Sequence, residues 1–214
     1  IYAAFADTRE AAFWLDQSGN DNDWQPVNLD HNDTVSDSPT NNFATLNPLD
    51  KTGGEFSDGN LSWNGTGSNV MTRSTIAMPS GKWYAEITAH SAPYFQAFGV
   101  HKANASLASG SRGGQDANSW VYEGNGSAWH NASSTSLGAF SANDTVMIAV
   151  DIDAGKLWFG VNGTWKNSGN PSTGTNATYT NLGGEPMTFV SGDYYYEKAT
   201  WNFGQQPFKY DPPE

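Results

Sequence analysis

Apolar and polar residues alternate with a period of two along much of the chain after Phe43. The run GKWYAEITAH at 81–90 places Trp83, Ala85 and Ile87 on one side, with Tyr, Glu and Thr between them. Successive side chains of a β-strand point to opposite faces of a sheet, so this alternation predicts a half-buried strand. The run EKATWNF at 197–203 alternates in the same way and predicts a further strand.

The strongest local prediction is a β-hairpin between residues 144 and 162. The runs DTVMIAVDID and KLWFGVN both alternate, and they meet at Asp153-Ala154-Gly155. Two alternating runs with a short glycine-containing link are typical of a hairpin. Four other short runs also predict strands: NLSW, TRSTIAM, FQAFGV and SWVYEG. Short strands separated by Gly and Asn turns, with no helical period between them, predict an all-β fold, an antiparallel β-sandwich.

Residues 1–44 differ from the rest of the chain. They are rich in Asn, Asp and Ser, as in QSGNDNDW and HNDTVSDSPTNN, and this composition is typical of loops. We therefore expect residues 1–44 to form a short N-terminal lead-in or linker and residues 45–214 to form the sandwich domain. Because the chain opens at Ile1 with the strand-like IYAAF, we also expect it to be a segment of a longer protein.

Composition and charge exclude several classes of partner. The formal net charge is -12 with only 10 Lys and Arg, so no basic groove is available to neutralise nucleic-acid phosphates. No apolar run approaches the ~18 residues of a membrane span, so membrane insertion is not expected. The chain has 0 Cys, which excludes disulfides and thiolate zinc sites.

Catalytic motifs are not evident, and we expect no enzymatic activity. The segment Ser109-Gly110-Ser111-Arg112-Gly113 fails the first position of a Gly-x-Ser-x-Gly nucleophile elbow. Glycan hydrolysis requires two carboxylates about 5 to 9 Å apart. Asp151 and Asp153 share a face at a spacing of two, but they lie at the end of the predicted hairpin, where Asp is a common turn former.

One loop in the lead-in has oxygen side chains at a spacing that fits a calcium ion. Asp16, Ser18, Asn20 and Asp23 surround Gly19 within eight residues. Ca²⁺ prefers such hard oxygen ligands, although the later bidentate Glu of an EF-hand is missing here. The alternative is a turn in which the Asp, Ser and Asn side chains form hydrogen bonds with their own backbone. Both interpretations stay open.

Aromatic residues make up 14% of the chain, more than a sandwich core of this size needs. Rings within strand periods are expected to pack in the core. Others stand near Gly, Ser and Asn in predicted loops, where an exposed ring is suited to stacking on a sugar or filling a peptide pocket. The alternative to ligand binding is that these loop rings cover the open end of the sandwich. The predicted ligand-binding residues are Tyr94, Trp120, Tyr122, Trp129, His130, Trp165, Tyr194 and Tyr195.

Three motifs, in order, resemble those of the SPRY family, the SPRY/B30.2 group with a concanavalin A-like jelly-roll sandwich. They are GKWYAEI at 81–87, DTVMIAVDIDAGKLWFGVNGTW at 144–165 and TWNFGQQPF at 200–208. The resemblance implies an antiparallel sandwich and a structural hydrogen bond for Glu86. Asn143-Asp144 stands where the family often has Gly-Asp, and the PRY motifs of full B30.2 domains are faint.

The lead-in joined to this core is similar to the form found in structural and tail-associated proteins of bacteriophages. The resemblance implies a non-catalytic recognition module of a virion, tail or fibre protein that binds a host-surface glycan or protein outside the cell. The alternative is an architectural virion protein that is joined to other subunits or to copies of itself and has no receptor. A polysaccharide depolymerase is less favoured, because the sequence supplies no convincing carboxylate pair.

Overall fold

The computed structural model describes residues 19–20, 22, 27, 42–67, 69–91 and 93–214. The strands belong to the compact unit Asp37–Glu214, and the described residues form no α-helix. The strands are β1 (Leu46–Lys51), β2 (Glu55–Ser57), β3 (Ser62–Asn64), β4 (Val70–Ser74), β5 (Lys82–Ala89), β6 (Ala97–Lys102), β7 (Ser119–Glu123), β8 (Ser127–His130), β9 (Ser133–Ser136), β10 (Thr145–Asp151), β11 (Lys156–Val161), β12 (Thr164–Trp165), β13 (Met187–Asp193) and β14 (Lys198–Asn202). A short 3-10 helix, Lys166–Ser168, follows β12.

The strands form two antiparallel sheets that stack as a sandwich. The first sheet has the order β1-β4-β13-β6-β7-β8-β9, and the second has the order β12-β11-β10-β5-β14-β3-β2. The all-β antiparallel sandwich predicted from the alternating pattern is therefore confirmed. No helix among the described residues is long and apolar enough to cross a membrane.

The predicted hairpin is also confirmed. Strands β10 and β11 pair from Val146 with Val161 through to Asp151 with Lys156. Gly155 closes the connecting turn with a φ of 65°, a conformation that costs glycine little because it has no Cβ. On its other side β10 pairs with β5 along the whole of β5 except its final residue, so three long strands form the centre of the second sheet.

The core lies between the sheets and is rich in large rings. Alternate residues of each strand face inward, and the largest buried side chains include Trp63, Trp201, Phe98 and Phe159. The rings of Trp201 and Phe98 meet edge to face at 5.9 Å between centroids. Aromatic side chains bury much apolar area, so a few of them fill the space between two sheets.

The outer face of the first sheet is covered by the β6–β7 connection. A second, smaller apolar cluster forms there from Met71, Ala97, Val121 and Val190, with Leu107 of the connection packed against it. This cover explains why β7 is buried on both faces.

The C-terminal segment lies across the outer face of the second sheet. The buried Glu86 of β5 accepts backbone hydrogen bonds from Lys209 and Tyr210, both at 2.8 Å. It also accepts the hydroxyl of Tyr84 at 2.8 Å. Glu86 is therefore a structural anchor for the end of the chain, as the sequence resemblance implied.

Among the connections that the strand registers bring to one end of the sandwich, which we call the loop end, four concern the candidate site. These connections join β3 to β4, β5 to β6, β7 to β8 and β13 to β14. The pairs at this end are Asp193 with Val70, Gly192 with Ala97, Ala97 with Glu123, Lys198 with Asn64, and Ala199 with Ala89. Residues far apart in the sequence therefore meet here.

Candidate functional site

Two connections at the loop end present a cluster of aromatic rings, which we call the tyrosine corner; the name is used here for this surface only and not for the tyrosine motif of Greek-key sandwiches. Its members are Tyr94, Phe95, Tyr194, Tyr195 and Tyr196. Tyr94 is 61% exposed, Tyr195 59% and Tyr196 64%, whereas Phe95 and Tyr194 are half-buried beneath them. Such exposed rings side by side are uncommon away from interaction surfaces.

Four of the five rings of the tyrosine corner, all except that of Tyr196, pack against one another. Phe95 is at the centre, 4.6 Å from Tyr94, 5.3 Å from Tyr194 and 5.5 Å from Tyr195 between centroids. Tyr194 and Tyr195 meet edge to face at 4.3 Å. Edge-to-face packing is a favoured geometry of aromatic pairs, so the exposed rings are held in place before any partner arrives.

Arg112, from the β6–β7 connection, lies against the inner rings of this corner. The centre of its guanidinium group is 4.8 Å from the Phe95 centroid and 6.0 Å from the Tyr194 centroid. Its Nε donates to Glu123 at 2.6 Å, and its Nη1 donates to Asn69 at 3.2 Å. A guanidinium that is fixed by a buried carboxylate gives the rings a rigid cationic support.

Asp193 holds the loop that carries the three consecutive tyrosines. Its Oδ1 accepts the backbone N–H groups of Tyr194 at 2.6 Å and Tyr195 at 3.1 Å, and its Oδ2 accepts that of Glu197 at 2.9 Å. Tyr196 has a φ of 62°, in the left-handed region. The three hydrogen bonds hold this tight turn, because bulky residues rarely adopt positive φ unaided.

Two buried carboxyl groups lie below this loop. Burial, and then the neighbouring Asp193 carboxylate, raise the pKa of Glu197 to about 7. Burial likewise raises the pKa of Asp193, against the backbone hydrogen bonds that lower it. Burial and the neighbouring Asp193 therefore disfavour the charged form of Glu197, whereas the side-chain contact with Glu197 lowers the pKa of Asp193.

The structure brings three of the eight predicted ligand-binding residues together. Tyr94, Tyr194 and Tyr195 come from two connections about 100 residues apart and meet around Phe95. Sequence reasoning placed these tyrosines in loops. It did not single out Arg112 or Asp193, because their roles depend on which strands pair.

The expected loop placement of Trp120 and Tyr122 is wrong. Both lie in β7 and face the core, with exposed fractions of 2% and 0%. Trp120 Nε1 donates to Asn181 at 3.1 Å, and the Tyr122 hydroxyl donates to the carbonyl of Gly138. Their hydrogen bonds are made inside the protein, so neither ring is accessible to a ligand in this structure.

The other three predicted residues lie away from the tyrosine corner. His130 is half-buried and stacks on Trp120 at 4.2 Å with an interplanar angle of 6°. Trp129 packs against the apolar cluster under the β6–β7 connection. Trp165 is half-buried on the second sheet, 6.3 Å from Tyr84. Ligand contact by these residues stays a prediction.

The carboxylates considered for catalysis accept backbone hydrogen bonds. Asp151 Oδ1 accepts the N–H of Ala154 at 2.8 Å, and Asp153 Oδ2 accepts that of Gly81 at 3.1 Å. Of the predicted calcium loop, Asn20 is described, whereas Asp16, Ser18 and Asp23 lie outside the described residues. Within the described ranges, no group of three or more His, Asp or Glu side chains could hold a metal ion.

The arrangement at the loop end is suited to binding. Exposed tyrosine rings bury a large contact area at a low cost in conformational entropy, and their hydroxyl groups add hydrogen bonds. Because the rings are already ordered, little further entropy is lost when a partner binds.

Comparison with known proteins gives the same architecture. A family model described as the SPRY domain matches residues 82–206. The crystal structure of the SPRY domain of human HERC1 superimposes with a TM-score of 0.62 at 15% identity, over 76% of this chain and 99% of that chain. The TRIM65 PSpry domain gives a TM-score of 0.60 at 17% identity, over 75% and 92%. Stonustoxin gives 0.55 at 20% identity, over 75% of this chain and 27% of the toxin chain.

Proposed function

Because the chain belongs to the SPRY family, whose domains are protein–protein interaction modules, we propose that it is a non-catalytic recognition module that binds its partner through the tyrosine corner. The observation that carries this proposal is the exposure of Tyr94, Tyr195 and Tyr196, each about 60%, together with the packing of the Tyr94 and Tyr195 rings on Phe95. Aromatic residues in ordered positions are the usual anchors of protein interfaces.

The finer proposal concerns where the module works. We place it on the outside of a bacteriophage virion, as part of a tail- or fibre-associated protein whose partner is a protein or glycan of the host surface. Support comes from the resemblance of the lead-in and core to such proteins. The net charge of -12 agrees with a partner other than nucleic acid. Binding by one module would be modest, and many copies on a particle would raise it by avidity.

The second candidate is an architectural role in the virion. The burial of Trp120 and Tyr122 favours it to a limited extent, because it removes two rings from the expected ligand surface. In that case the tyrosine corner packs against a neighbouring virion subunit or a second copy of this chain. A depolymerase has less support, since Asp151 and Asp153 both accept backbone hydrogen bonds.

A binding screen with the intact chain separates these candidates. The probes are a glycan array and cell envelopes from a panel of bacteria, each envelope tested untreated, after protease and after periodate oxidation. We expect saturable binding to at least one envelope. Loss after protease identifies a protein partner, and loss after periodate identifies a glycan. No binding to any envelope or glycan would contradict host recognition and would favour the architectural role.

A further inference from the structure

Four polar side chains occupy the inner side of the first sheet at the loop end. They are Gln96, Ser191, Asp193 and Glu197, and we call them the inner polar cluster. Their exposed fractions are 0%, 0%, 0% and 5%. They lie below the tyrosine corner and are not part of its exposed surface.

The strand registers bring these residues together. Ser191 of β13 pairs with Phe98 of β6, whose ring belongs to the core between the sheets. Residues two apart on a strand share a face, so Asp193 and Gln96 continue this inner face. The ladder between β13 and β6 ends at the pair Gly192 and Ala97, and Asp193 and Gln96 are the residues directly beyond this last pair.

Glu197 joins the cluster from the loop after β13. Its N–H donates to Asp193, and the backbone amides of Tyr94 and Phe95 interact with its carboxyl group. Both connections that carry the tyrosine corner therefore meet at this carboxylate.

The cluster contains buried polar atoms that have no hydrogen-bond partner in the protein. They are the Oε1 and Nε2 of Gln96, the Oγ of Ser191 and the Oε2 of Glu197. A buried polar atom without a partner costs about 1–3 kcal/mol. Four such atoms beside two carboxylates indicate a place for a further polar partner.

Lysine and arginine do not compensate the two carboxylates. In the part of the chain that the structure describes, neither Asp193 nor Glu197 forms an ion pair with a basic side chain. Arg112 is paired with Glu123, and Lys198 is paired with Asp58. Buried charges are normally paired or bound to a metal ion.

We propose that the inner polar cluster is a calcium-binding site whose protein ligands are the side-chain oxygens of Gln96, Ser191, Asp193 and Glu197. Two carboxylates balance the charge of one divalent cation, and the two neutral oxygens are hard donors of the kind Ca²⁺ prefers. Mg²⁺ fits less well, because it requires near-ideal octahedral geometry and retains its water. The bound ion ties the β5–β6 and β13–β14 connections together and stiffens the tyrosine corner.

The test is a calcium titration of the whole chain, followed by calorimetry and by thermal unfolding. All proteins carry Asp16→Asn and Asp23→Asn, so that the loop in the lead-in contributes no calcium site. We expect Ca²⁺ to bind with one-to-one stoichiometry and to raise the unfolding temperature, with a smaller rise for Mg²⁺ at the same concentration.

Two variants and one control locate the ion. Outer-shell changes already cost about 10–100-fold in metal affinity, so Glu197→Gln and Gln96→Leu should each weaken Ca²⁺ binding at least tenfold. Without calcium, Gln96→Leu should unfold at the same temperature as the parent or higher, because it removes two unpartnered polar atoms; this shows that it still folds. The exposed Glu55, also at the loop end, gives the matched control Glu55→Gln, which should bind Ca²⁺ normally.

Either of two results would overturn the proposal. One is an unfolding temperature that does not respond to Ca²⁺ in the Asp16→Asn, Asp23→Asn protein. The other is a response that persists unchanged in both Glu197→Gln and Gln96→Leu, which would mean that the ion binds elsewhere on the acidic surface.

Discussion

Arg112 links the core to the tyrosine corner through a single side chain. Its partner Glu123 is 0% exposed, and the two are 2.6 Å apart. Removing one member of a buried pair leaves the other charge without compensation, which costs far more than loss of a surface pair. The residue that supports the rings is therefore also a determinant of stability.

We expect Arg112→Met to lower the free energy of unfolding by about 3 kcal/mol. Lys102→Met is the matched control, because Lys102 and Glu185 form an exposed pair at 3.6 Å that contributes at most about 1 kcal/mol. Urea unfolding measures both. The double variant Arg112→Met, Glu123→Leu should recover part of the loss, since it removes the unpaired charge. Equal effects of the two single variants would contradict the role given to Arg112.

His101 is a second residue whose charge affects stability. It is 0% exposed, and its Nδ1 donates to the carbonyl of Lys102 at 2.8 Å. Burial, together with the nearby Arg73, lowers the pKa of His101, while the Lys102 carbonyl and the acidic Asp50 and Asp116 act against this. The unfolded chain therefore takes up a proton at a higher pH than the folded protein does.

The stability that depends on neutral His101 is present above about pH 6.5 and is lost as the pH falls below that value. We expect the wild type to lose more unfolding free energy than His101→Gln between about pH 7.5 and pH 5. The raised pKa values of Asp193 and Glu197 act in the opposite sense in both proteins, so the comparison cancels them. Urea unfolding at the two pH values gives the difference, and identical pH slopes would contradict this account.

At the scale of elements, the period of two predicted several of the strands, but it did not predict β1, β2, β8, β9 or β13. The runs NLSW, TRSTIAM and FQAFGV overlap β3, β4 and β6, and the run SWVYEG contains β7. What the period did not reveal is the cover over the outer face of β7. Gly192 shows how close this cover lies, because a Cβ there would be 1.9 Å from the carbonyl oxygen of Arg112. Such contact between distant segments leaves no periodic signal.

The C-terminal segment is held by the Glu86 carboxylate and by further contacts, such as the hydrogen bonds from Asn202 to the carbonyls of Gln206 and Pro207. We expect Glu86→Leu to lower the free energy of unfolding by about 2–3 kcal/mol and to speed amide exchange at Lys209 and Tyr210, which lose their acceptors. Glu86→Gln keeps one carbonyl oxygen and should cost about half as much. Exchange followed by mass spectrometry tests this. Unchanged exchange at both amides in Glu86→Leu would show that other contacts hold the segment.

For the whole molecule, the position of the candidate site follows from topology. The sequence placed Tyr94 and Tyr194 correctly in loops, yet only the pairing of β6 with β13 brings them together. It counted Trp120 among the loop rings although the run SWVYEG also predicted a strand, because the Gly and Asn residues near the end of that strand resemble a loop. Composition predicted the exposed aromatic surplus, and the register of distant strands decided which rings form a surface.

The central claim is that the loop end recognises a partner through the tyrosine corner. Its most direct test compares the affinity of three proteins for the envelope or glycan found by the binding screen. These are the wild type, the double variant Tyr94→Ser, Tyr195→Ser, and the control Leu49→Ser, whose residue is 97% exposed on β1. Loss of two interface anchors should weaken binding more than about 30-fold, while Leu49→Ser binds like the wild type. Equal affinity of all three proteins would contradict the account.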